Sequence, residues 1–493
     1  MSDFQSEIAV QSRLVELLNI LTPEEKAQML PFMSAPMFNN SNFRAKVGPF
    51  IEICLNHPWD NPEIKLIKNH VFALLYPGQD FVDGKLEKIM VEAFKVARSF
   101  LLAQNYFRSD NEFQQTLDFS EMIRLRGLDA RHQQFLIKIK KIQEDFPWDN
   151  ATFLNQQFLL DHALHENECF HNQVKGDLNV PNTLQSLDRH YHLKRLELLN
   201  RLILQQKAAN LQISDAIKVL IEEIQVPARY LDESPSIRIN HEIFILLQKE
   251  NPEPSDVRSL FDLLQLHEKK LSSESLKEFY SYLRNLCTLI SRKQSDNEEI
   301  RLTLFELYKD NLPRGYLHFE GKLHPSLYLA VTTVALRVNQ FDWALDFVEK
   351  HKHEIIGETE DKEYYRFNKA YCLFGAGEFS ECLDNIPATI PMVDHLIQSK
   401  RLELKALYEL NSDLFPYKLD AFRMFLSRTS QKILSNENHQ LNLEFLNFLT
   451  QLVSSIPGDK KRSEVLVGRI EEKKQVAEWL WLHQKAQALG KSR

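Results

Sequence analysis

The residue types best suited to chemistry in this sequence lie close together between positions 161 and 171. His162, His165 and Cys169 are three and four positions apart, so on a helix they share one face. Imidazole nitrogens and thiolates are zinc ligands, and this spacing allows them to converge on an ion. Phe158 continues the same face, however, no second Cys/His pair follows at the usual spacing, and structural zinc needs four ligands. We therefore expect a packed helix without a metal or cofactor, and keep a metal-dependent enzyme as an alternative.

Motifs of the other common catalytic classes are absent from the sequence. It contains no GxGxxG, no P-loop, no HExxH and no GxSxG. Its one close glycine pair, Gly375 and Gly377, lies at a predicted helix turn. No phosphate loop for a nucleotide is therefore recognisable, and we expect a protein that is not an enzyme.

The elements that must position any site are predicted to be helices. Glycine is scarce, with 13 in 493 residues, where an average usage of roughly 7% would give about 35. Apolar residues recur at spacings of three and four, as in Leu14, Leu17, Leu18 and Leu21, and alternating strand-like runs are absent. The sequence therefore predicts an all-α protein.

Charge and hydropathy exclude several classes of partner. The net charge of −8 gives the chain no overall electrostatic footprint for nucleic acid or an anionic membrane. The longest apolar candidate segment, 326–336, is far shorter than the roughly 20 residues that cross a bilayer. Five cysteines without a CxxC pair fit reduced thiols, and charges interrupt the apolar positions of the N-terminal segment, unlike a signal peptide. We expect a soluble, cytoplasmic protein.

Two similar turns mark the C-terminal part of the chain. Segments 339–345 (NQFDWAL) and 377–383 (GEFSECL) each contain a residue tolerant of left-handed geometry, an aromatic residue two positions later and a small residue three positions further on. A third turn begins at Asn411, with Asp413 in place of the aromatic residue. We expect four turn residues to be buried between neighbouring helices: Phe341, Ala344, Phe379 and Cys382.

The three turns begin 38 and 34 residues apart. A period near 34 residues with this turn resembles the tetratricopeptide repeat, in which a large apolar residue follows the small one by four positions. Ala344 with Val348 and Cys382 with Ile386 match that element. The resemblance covers about 326 to 434 and lacks the aromatic-glycine pair of the first repeat helix, so it is to the wider class of degenerate tetratricopeptide-like repeats. It implies stacked antiparallel helix pairs, an α-solenoid, with a concave surface that binds a partner.

These patterns divide the chain into three predicted segments. Residues 1–108 form an N-terminal helical domain, 109–295 a middle helical region, and 296–493 the tetratricopeptide-like repeats with a C-terminal capping helix. Trp479 and Trp481 lie on that last helix. A capping role suits them because the end of a repeat array must cover an apolar face, and docking of a partner on Trp481 is the alternative.

The resemblance also implies a binding site. The repeat's groove-facing positions correspond here to Thr333, Arg337, Tyr371, Arg401, Lys405 and Tyr408. Such basic and aromatic groups suit an acidic segment or a C-terminal carboxylate. We therefore expect a non-enzymatic scaffold or adaptor that binds another protein or peptide in this groove. The plain alternative is a solvated helix face with no binding role, because most surface Arg and Lys side chains have none.

A second alternative function comes from the N-terminal segment. Residues 61–75, the turn at 75–78 and residues 85–102 loosely resemble the helix-turn-helix unit of some repeat-bearing transcription regulators. Residues 1–110 contain more acidic than basic side chains, 13 against 11. This balance counts against DNA, because neutralisation of phosphates dominates DNA binding, and we expect no nucleic-acid partner.

Overall fold

The structure, a computed structural model, describes residues 7–9, 11–39, 42–61, 63–82, 84–171, 178–208, 212–294, 297–429, 436–473 and 476–491. Within these ranges all regular elements are helices, and β-type pairing is confined to isolated bridges. The prediction of an all-α protein is thus confirmed. In the part of the chain that is described, no helix is both long enough and apolar enough to cross a membrane.

The chain forms two compact units. The first comprises residues 1–146 and 156–183, and the second comprises residues 147–155 and 184–493. The three segments predicted from the sequence, 1–108, 109–295 and 296–493, are a different division, and they stay a prediction about domains.

The N-terminal part of the chain folds into helices of mixed length. They are α1 (Arg13–Asn19), α2 (Pro23–Ser34), α3 (Arg44–Leu55), α4 (Lys68–Leu75), α5 (Lys85–Tyr106), α6 (Glu112–Arg124) and α7 (Asp129–Glu144). The first five surround an apolar core that includes Val15, Phe50 and Phe72, all with almost no exposed surface. Helices α6 and α7 pack as a pair around Phe113 and Ile139.

The helices that follow range from 6 to 29 residues in length. They are α8 (Ala151–His171), α9 (Val180–Ala208), α10 (Asp215–Glu222), α11 (Ala228–Glu233), α12 (Pro235–Gln248), α13 (Pro254–His267), α14 (Ser273–Lys293), α15 (Glu298–Asn311), α16 (Pro325–Arg337), α17 (Phe341–Lys350), α18 (Glu363–Ala376), α19 (Phe379–Asn385), α20 (Val393–Glu409), α21 (Phe415–Arg428), α22 (Asn436–Val453), α23 (Lys460–Glu472) and α24 (Trp479–Leu489). One continuous core runs from Leu154 on α8 and the buried leucines of α9 to α20, and a second joins α20 to α24.

Helices α16 to α20 pack in chain order. Each of them contacts the next one, and α18 also contacts both α16 and α20. Alternate helices are therefore neighbours, which brings equivalent positions of α16, α18 and α20 close together. This arrangement positions the residues of the predicted site.

Three turns in this region close in the same way. Asn339, Gly377 and Asn411 all have left-handed backbone, with φ of 59°, 85° and 49°. In each turn the next residue donates its N–H to a carbonyl five positions back, at 2.9, 2.9 and 3.0 Å respectively. This pattern satisfies the free carbonyls at the helix end. The third turn forms although Asp413 occupies the aromatic position, so the left-handed residue, and not the aromatic one, determines it.

Burial of the turn residues follows the prediction in part. Ala344 and Cys382 are completely buried, as expected. Phe379 is half-buried, with its ring 5.3 Å from that of Phe374. For Phe341 the prediction is wrong, because its side chain is 38% exposed. Its ring lies against the backbone of Gly375, where an added Cβ would be only 3.1 Å from the ring, so one ring face packs and the other faces solvent.

Replacing Ala344 by leucine tests this packing. The side chain is fully buried on α17, so the added methyl groups should overpack the contact and lower the free energy of unfolding by roughly 1–3 kcal/mol. Urea denaturation monitored by circular dichroism measures the change. Ala376→Leu is the matched control because Ala376 is exposed at the end of α18. Equal stability of the two variants would contradict the packing.

Candidate functional site

The predicted binding residues lie on three neighbouring helices. Thr333 and Arg337 are on α16, Tyr371 is on α18, and α20 carries Arg401, Lys405 and Tyr408. The structure brings most of this set around one carboxylate that the sequence did not suggest. That carboxylate belongs to Glu478, which immediately precedes α24.

Glu478 binds the two cations of α20 directly. Lys405 Nζ lies 2.6 Å from Glu478 Oε2, and Arg401 Nε lies 3.1 Å from Oε1. Arg401 also donates from Nη1 to Asn442 Oδ1 on α22, at 2.8 Å. The two α20 side chains therefore tie α20 to α22 and to the start of α24.

Both cations are largely withdrawn from solvent. The side chains of Lys405 and Arg401 are 6% and 14% exposed, and the Lys405 ammonium lies 4.8 Å from the ring centre of Phe374. The expectation that these two residues line an open groove is wrong in this respect. A charge this deep requires a compensating partner, and the chain supplies one from a distant segment.

The cations control the ionisation of the carboxylate. Burial alone would raise the pKa of Glu478, but the charges of Lys405 and Arg401, the hydrogen bond from Lys405 and the charge of Arg337 hold that pKa at about 2. Burial also raises the pKa of Tyr371, and the negative charge of Glu478 adds to this rise. Glu478 is therefore ionised at neutral pH, and Tyr371 is a neutral hydroxyl.

The backbone at Glu478 is held in an uncommon conformation. Its φ is +58°, in the left-handed region, which costs a residue with a side chain on the order of 1–2 kcal/mol. Its carbonyl accepts the N–H of Leu482 at 3.0 Å, which begins α24. The ion pairs thus hold the first turn of α24 in a geometry that is unfavourable by itself.

Tyr408 and Trp481 lie beside this group in a packed contact. Their rings are 5.3 Å apart, and the Trp481 indole N–H donates to Glu409 at 2.8 Å. Trp481 is only 9% exposed, so the alternative that it offers an exposed docking surface is wrong. Lys485 also pairs with Glu409, at 2.6 Å, and α24 packs on α22 and α23. These contacts are those of a helix that covers an apolar face.

Arg337 differs from the other cations of the set. Its side chain is exposed, and it makes no hydrogen bond or ion pair with another residue that the structure describes. Its charge still acts on Glu478 and Tyr371, so it lies at the solvent-facing edge of the same group. Thr333, one turn earlier, donates its hydroxyl to the Leu329 carbonyl at 2.8 Å. Arg337 is therefore the group's accessible cation.

The histidine cluster of α8 has an ordinary structural explanation. His165 Nδ1 donates to the Leu178 carbonyl at 2.7 Å, and Cys169 Sγ is 3.7 Å from the ring nitrogens of His165. The His162 ring is 6.3 Å from that of His165. His162, His165 and Cys169 do not form a group whose ligand atoms converge, as judged over the described residues.

The helices of the N-terminal segment match the geometry of a helix-turn-helix unit poorly. Helix α4 begins at Lys68, not near position 61, and has only 8 residues. Residues 76–84 connect it to α5, whereas the turn of that motif has about 3–4 residues. The geometry therefore offers no support for DNA recognition by this segment.

Comparisons of the chain with protein-family models, with curated proteins and with solved structures found no match. Function must therefore be argued from the residues themselves.

Replacing Glu478 by glutamine tests the buried charge group. The change leaves Lys405 and Arg401 buried without a counter-charge, so the free energy of unfolding at neutral pH should fall by roughly 3–5 kcal/mol. Urea denaturation measures it. Glu464→Gln is the control, because Glu464 is exposed on the nearby α23 and its loss should change little.

The pH dependence of stability provides a second test of Glu478. Its pKa is lowered from 4.5 to about 2, so the folded state binds its proton less readily than the unfolded state. Its contribution to stability is then complete above about pH 4.5 and is lost as the pH falls towards 2. As the pH falls from 4.5 to 2, the free energy of unfolding of the wild type should decrease more than that of Glu478→Gln. Parallel pH profiles of the two proteins would contradict the assignment.

Proposed function

We propose that α16 to α21 form a short tetratricopeptide-like stack of antiparallel helix pairs, an α-solenoid, and that the chain is a non-enzymatic scaffold that binds an acidic segment of another protein. Three turns of identical hydrogen bonding, at Asn339, Gly377 and Asn411, support the repeat. The contacts of α18 with α16 and α20 support stacking of alternate helices. Stacking of this kind leaves one set of helices facing a common surface.

The observation that carries the proposal is the convergence of three cations on one carboxylate. Arg337, Arg401 and Lys405 all act on Glu478, so the group keeps an excess of positive charge. The group already binds one carboxylate, that of Glu478, through two charge-assisted contacts, and the ring of Phe374 lies beside Lys405. Such hydrogen bonds are shorter and stronger than neutral ones.

An incoming acidic residue would meet Arg337 first. Its guanidinium is exposed, and Tyr371 on the neighbouring helix lies close enough for the Arg337 charge to offset part of the rise in the Tyr371 pKa that burial causes. Guanidinium binds carboxylates in a bidentate manner. We therefore assign partner binding to Arg337 and Tyr371, while Arg401, Lys405 and Tyr408 maintain the surface from beneath. No displacement of Glu478 is required for such binding.

We propose that this scaffold is a cytoplasmic protein. All five cysteines are free, and four of them are buried. Free thiols of this kind are typical of reducing compartments. A partner is then expected to be another cytoplasmic protein, and neither nucleic acid nor a membrane is part of the proposal.

Charge reversal at Arg337 tests the function. Full-length wild type, Arg337→Glu and Lys350→Glu are used for affinity capture from native lysate at low and high salt, with captured proteins quantified by mass spectrometry. Lys350 is the matched control, since it is exposed at the end of α17 and has no described partner. Like charges across an interface repel, so Arg337→Glu should lose at least about tenfold of the acidic partners, equivalent to about 1.4 kcal/mol.

Salt should weaken capture by the wild type and by Lys350→Glu in the same way, because exposed charges are screened. Recovery of the same proteins in equal amounts by both reversal variants would refute binding at this surface. Melting temperatures of the three proteins should agree, which separates lost binding from lost folding.

A further inference from the structure

Three side chains with metal-binding chemistry meet where the α15–α16 connection approaches the segment after α17. His318 Nε2 lies 3.0 Å from Glu354 Oε2, and His351 Nδ1 lies 2.8 Å from the same oxygen. One ligand atom from each of the three residues lies within 4.8 Å of the others. Two imidazoles and a carboxylate thus surround one small volume. These three residues are distant in the sequence from Glu478.

Backbone hydrogen bonds connect the two segments that carry these side chains. Leu323 donates its N–H to the Glu354 carbonyl at 2.7 Å, and Ile356 donates to the Leu323 carbonyl at 2.9 Å, so the two segments pair as a short parallel bridge. Glu354 also donates its N–H to the His351 carbonyl at 3.0 Å. Ligands held on paired backbone lose little freedom on binding, which is what a preorganised site requires.

Exposure of the three side chains suits a site that an ion can enter. His318 and His351 are 16% and 11% exposed, whereas Glu354 is 37% exposed. The imidazoles are therefore shielded, and the carboxylate forms the edge towards solvent. Both histidines use the same carboxylate oxygen, which leaves the other oxygen of Glu354 outside this pair of contacts.

The ligand set matches a particular class of ion. Nitrogen and carboxylate ligands without thiolate suit zinc and related divalent transition metals, with bonds of roughly 2.0–2.2 Å. Tetrahedral bonds of that length place ligand atoms about 3.3 Å apart, a few tenths of an ångström beyond the separations of 2.8 and 3.0 Å seen here. A small increase in these nitrogen–oxygen distances would make room for the ion. If the proton of each imidazole is on its other ring nitrogen, the nitrogen nearest Glu354 presents a lone pair to the ion.

We propose that His318, His351 and Glu354 bind one divalent transition-metal ion of the zinc class. Three protein ligands leave a fourth position for water, as in open zinc sites, whereas structural zinc sites have four protein ligands. The ion connects the segment before α16 to the segment after α17, so it also ties together the two ends of the first helix pair.

Zinc titration of the full-length chain tests the site. The purified protein is stripped with a chelator and titrated with Zn²⁺ in competition with a chromophoric chelator. We expect one tightly bound equivalent, and in His318→Gln and His351→Gln its affinity should fall more than the roughly 10–100-fold that loss of an outer ligand partner causes. His353→Gln is the matched control, because His353 is exposed in the same segment and should leave the affinity unchanged.

Glu354→Gln separates a metal site from a purely hydrogen-bonded cluster. Glutamine keeps an oxygen that accepts from both imidazoles but binds zinc poorly, so the variant should fold normally and still lose the tight equivalent. Circular dichroism and the melting temperature verify its fold. Zn²⁺ should raise the melting temperature of wild type and His353→Gln, and leave that of Glu354→Gln unchanged.

Cobalt substitution examines the fourth position. Co²⁺ bound in a four-coordinate site absorbs in the visible, and azide should shift these bands if a water molecule is exchangeable. Absence of a tight equivalent in the wild type would overturn the proposal. The proposal would also be overturned if His165→Gln lost the tight equivalent while His318→Gln kept it, because this result would assign zinc to α8.

Discussion

Compensation of buried charge is the constraint on which the C-terminal part of this protein depends. Lys405 and Arg401 lose most of their hydration, and the carboxylate of Glu478 supplies the opposite charge that offsets that loss. The same contacts join α20 to α22 through Asn442 and set the first turn of α24. The apolar core of α20 to α24 therefore surrounds a buried polar group that links α20, α22 and the start of α24.

Much of the architecture was predictable because it is encoded locally. Scarce glycine and spacings of three and four indicated helices, and left-handed residues indicated the turns, including the one at Asn411. The burial of Ala344 and Cys382 followed from their positions after those turns. The exposure of Phe341 did not, because it depends on how closely its ring approaches Gly375 of the next helix. Sequence spacing contains no information about that distance.

The sequence pointed to several residues of the buried charge group, but it indicated neither their burial nor the participation of Glu478. The repeat resemblance selected Arg401 and Lys405, and the structure gathers them, yet their partner lies 73 or more residues away. A lone glutamate before a tryptophan-rich helix gives no signal of such a contact. The same limit applies to His318 and His351, since their proximity arises from paired backbone between separate connections. Spacing within α8 drew attention to His162 instead, because helical neighbours can be recognised without any tertiary information.

The turns are local contacts, whereas the ion pair of Lys405 with Glu478 joins distant segments. This difference in sequence separation affects the order in which the contacts form during folding. Hydrogen bonds at the turns after α16, α18 and α20 span three to five residues, whereas the contact of Lys405 with Glu478 closes a loop of 73. Loop closure costs entropy that rises with length, and short-range contacts favour rapid folding. We expect amide protection during refolding to appear in α18 before α24, and the reverse order in pulse-labelled hydrogen exchange would exclude this sequence of events. In that order of events, we expect Lys405 and Arg401 to stay hydrated on an open helix face until α24 docks.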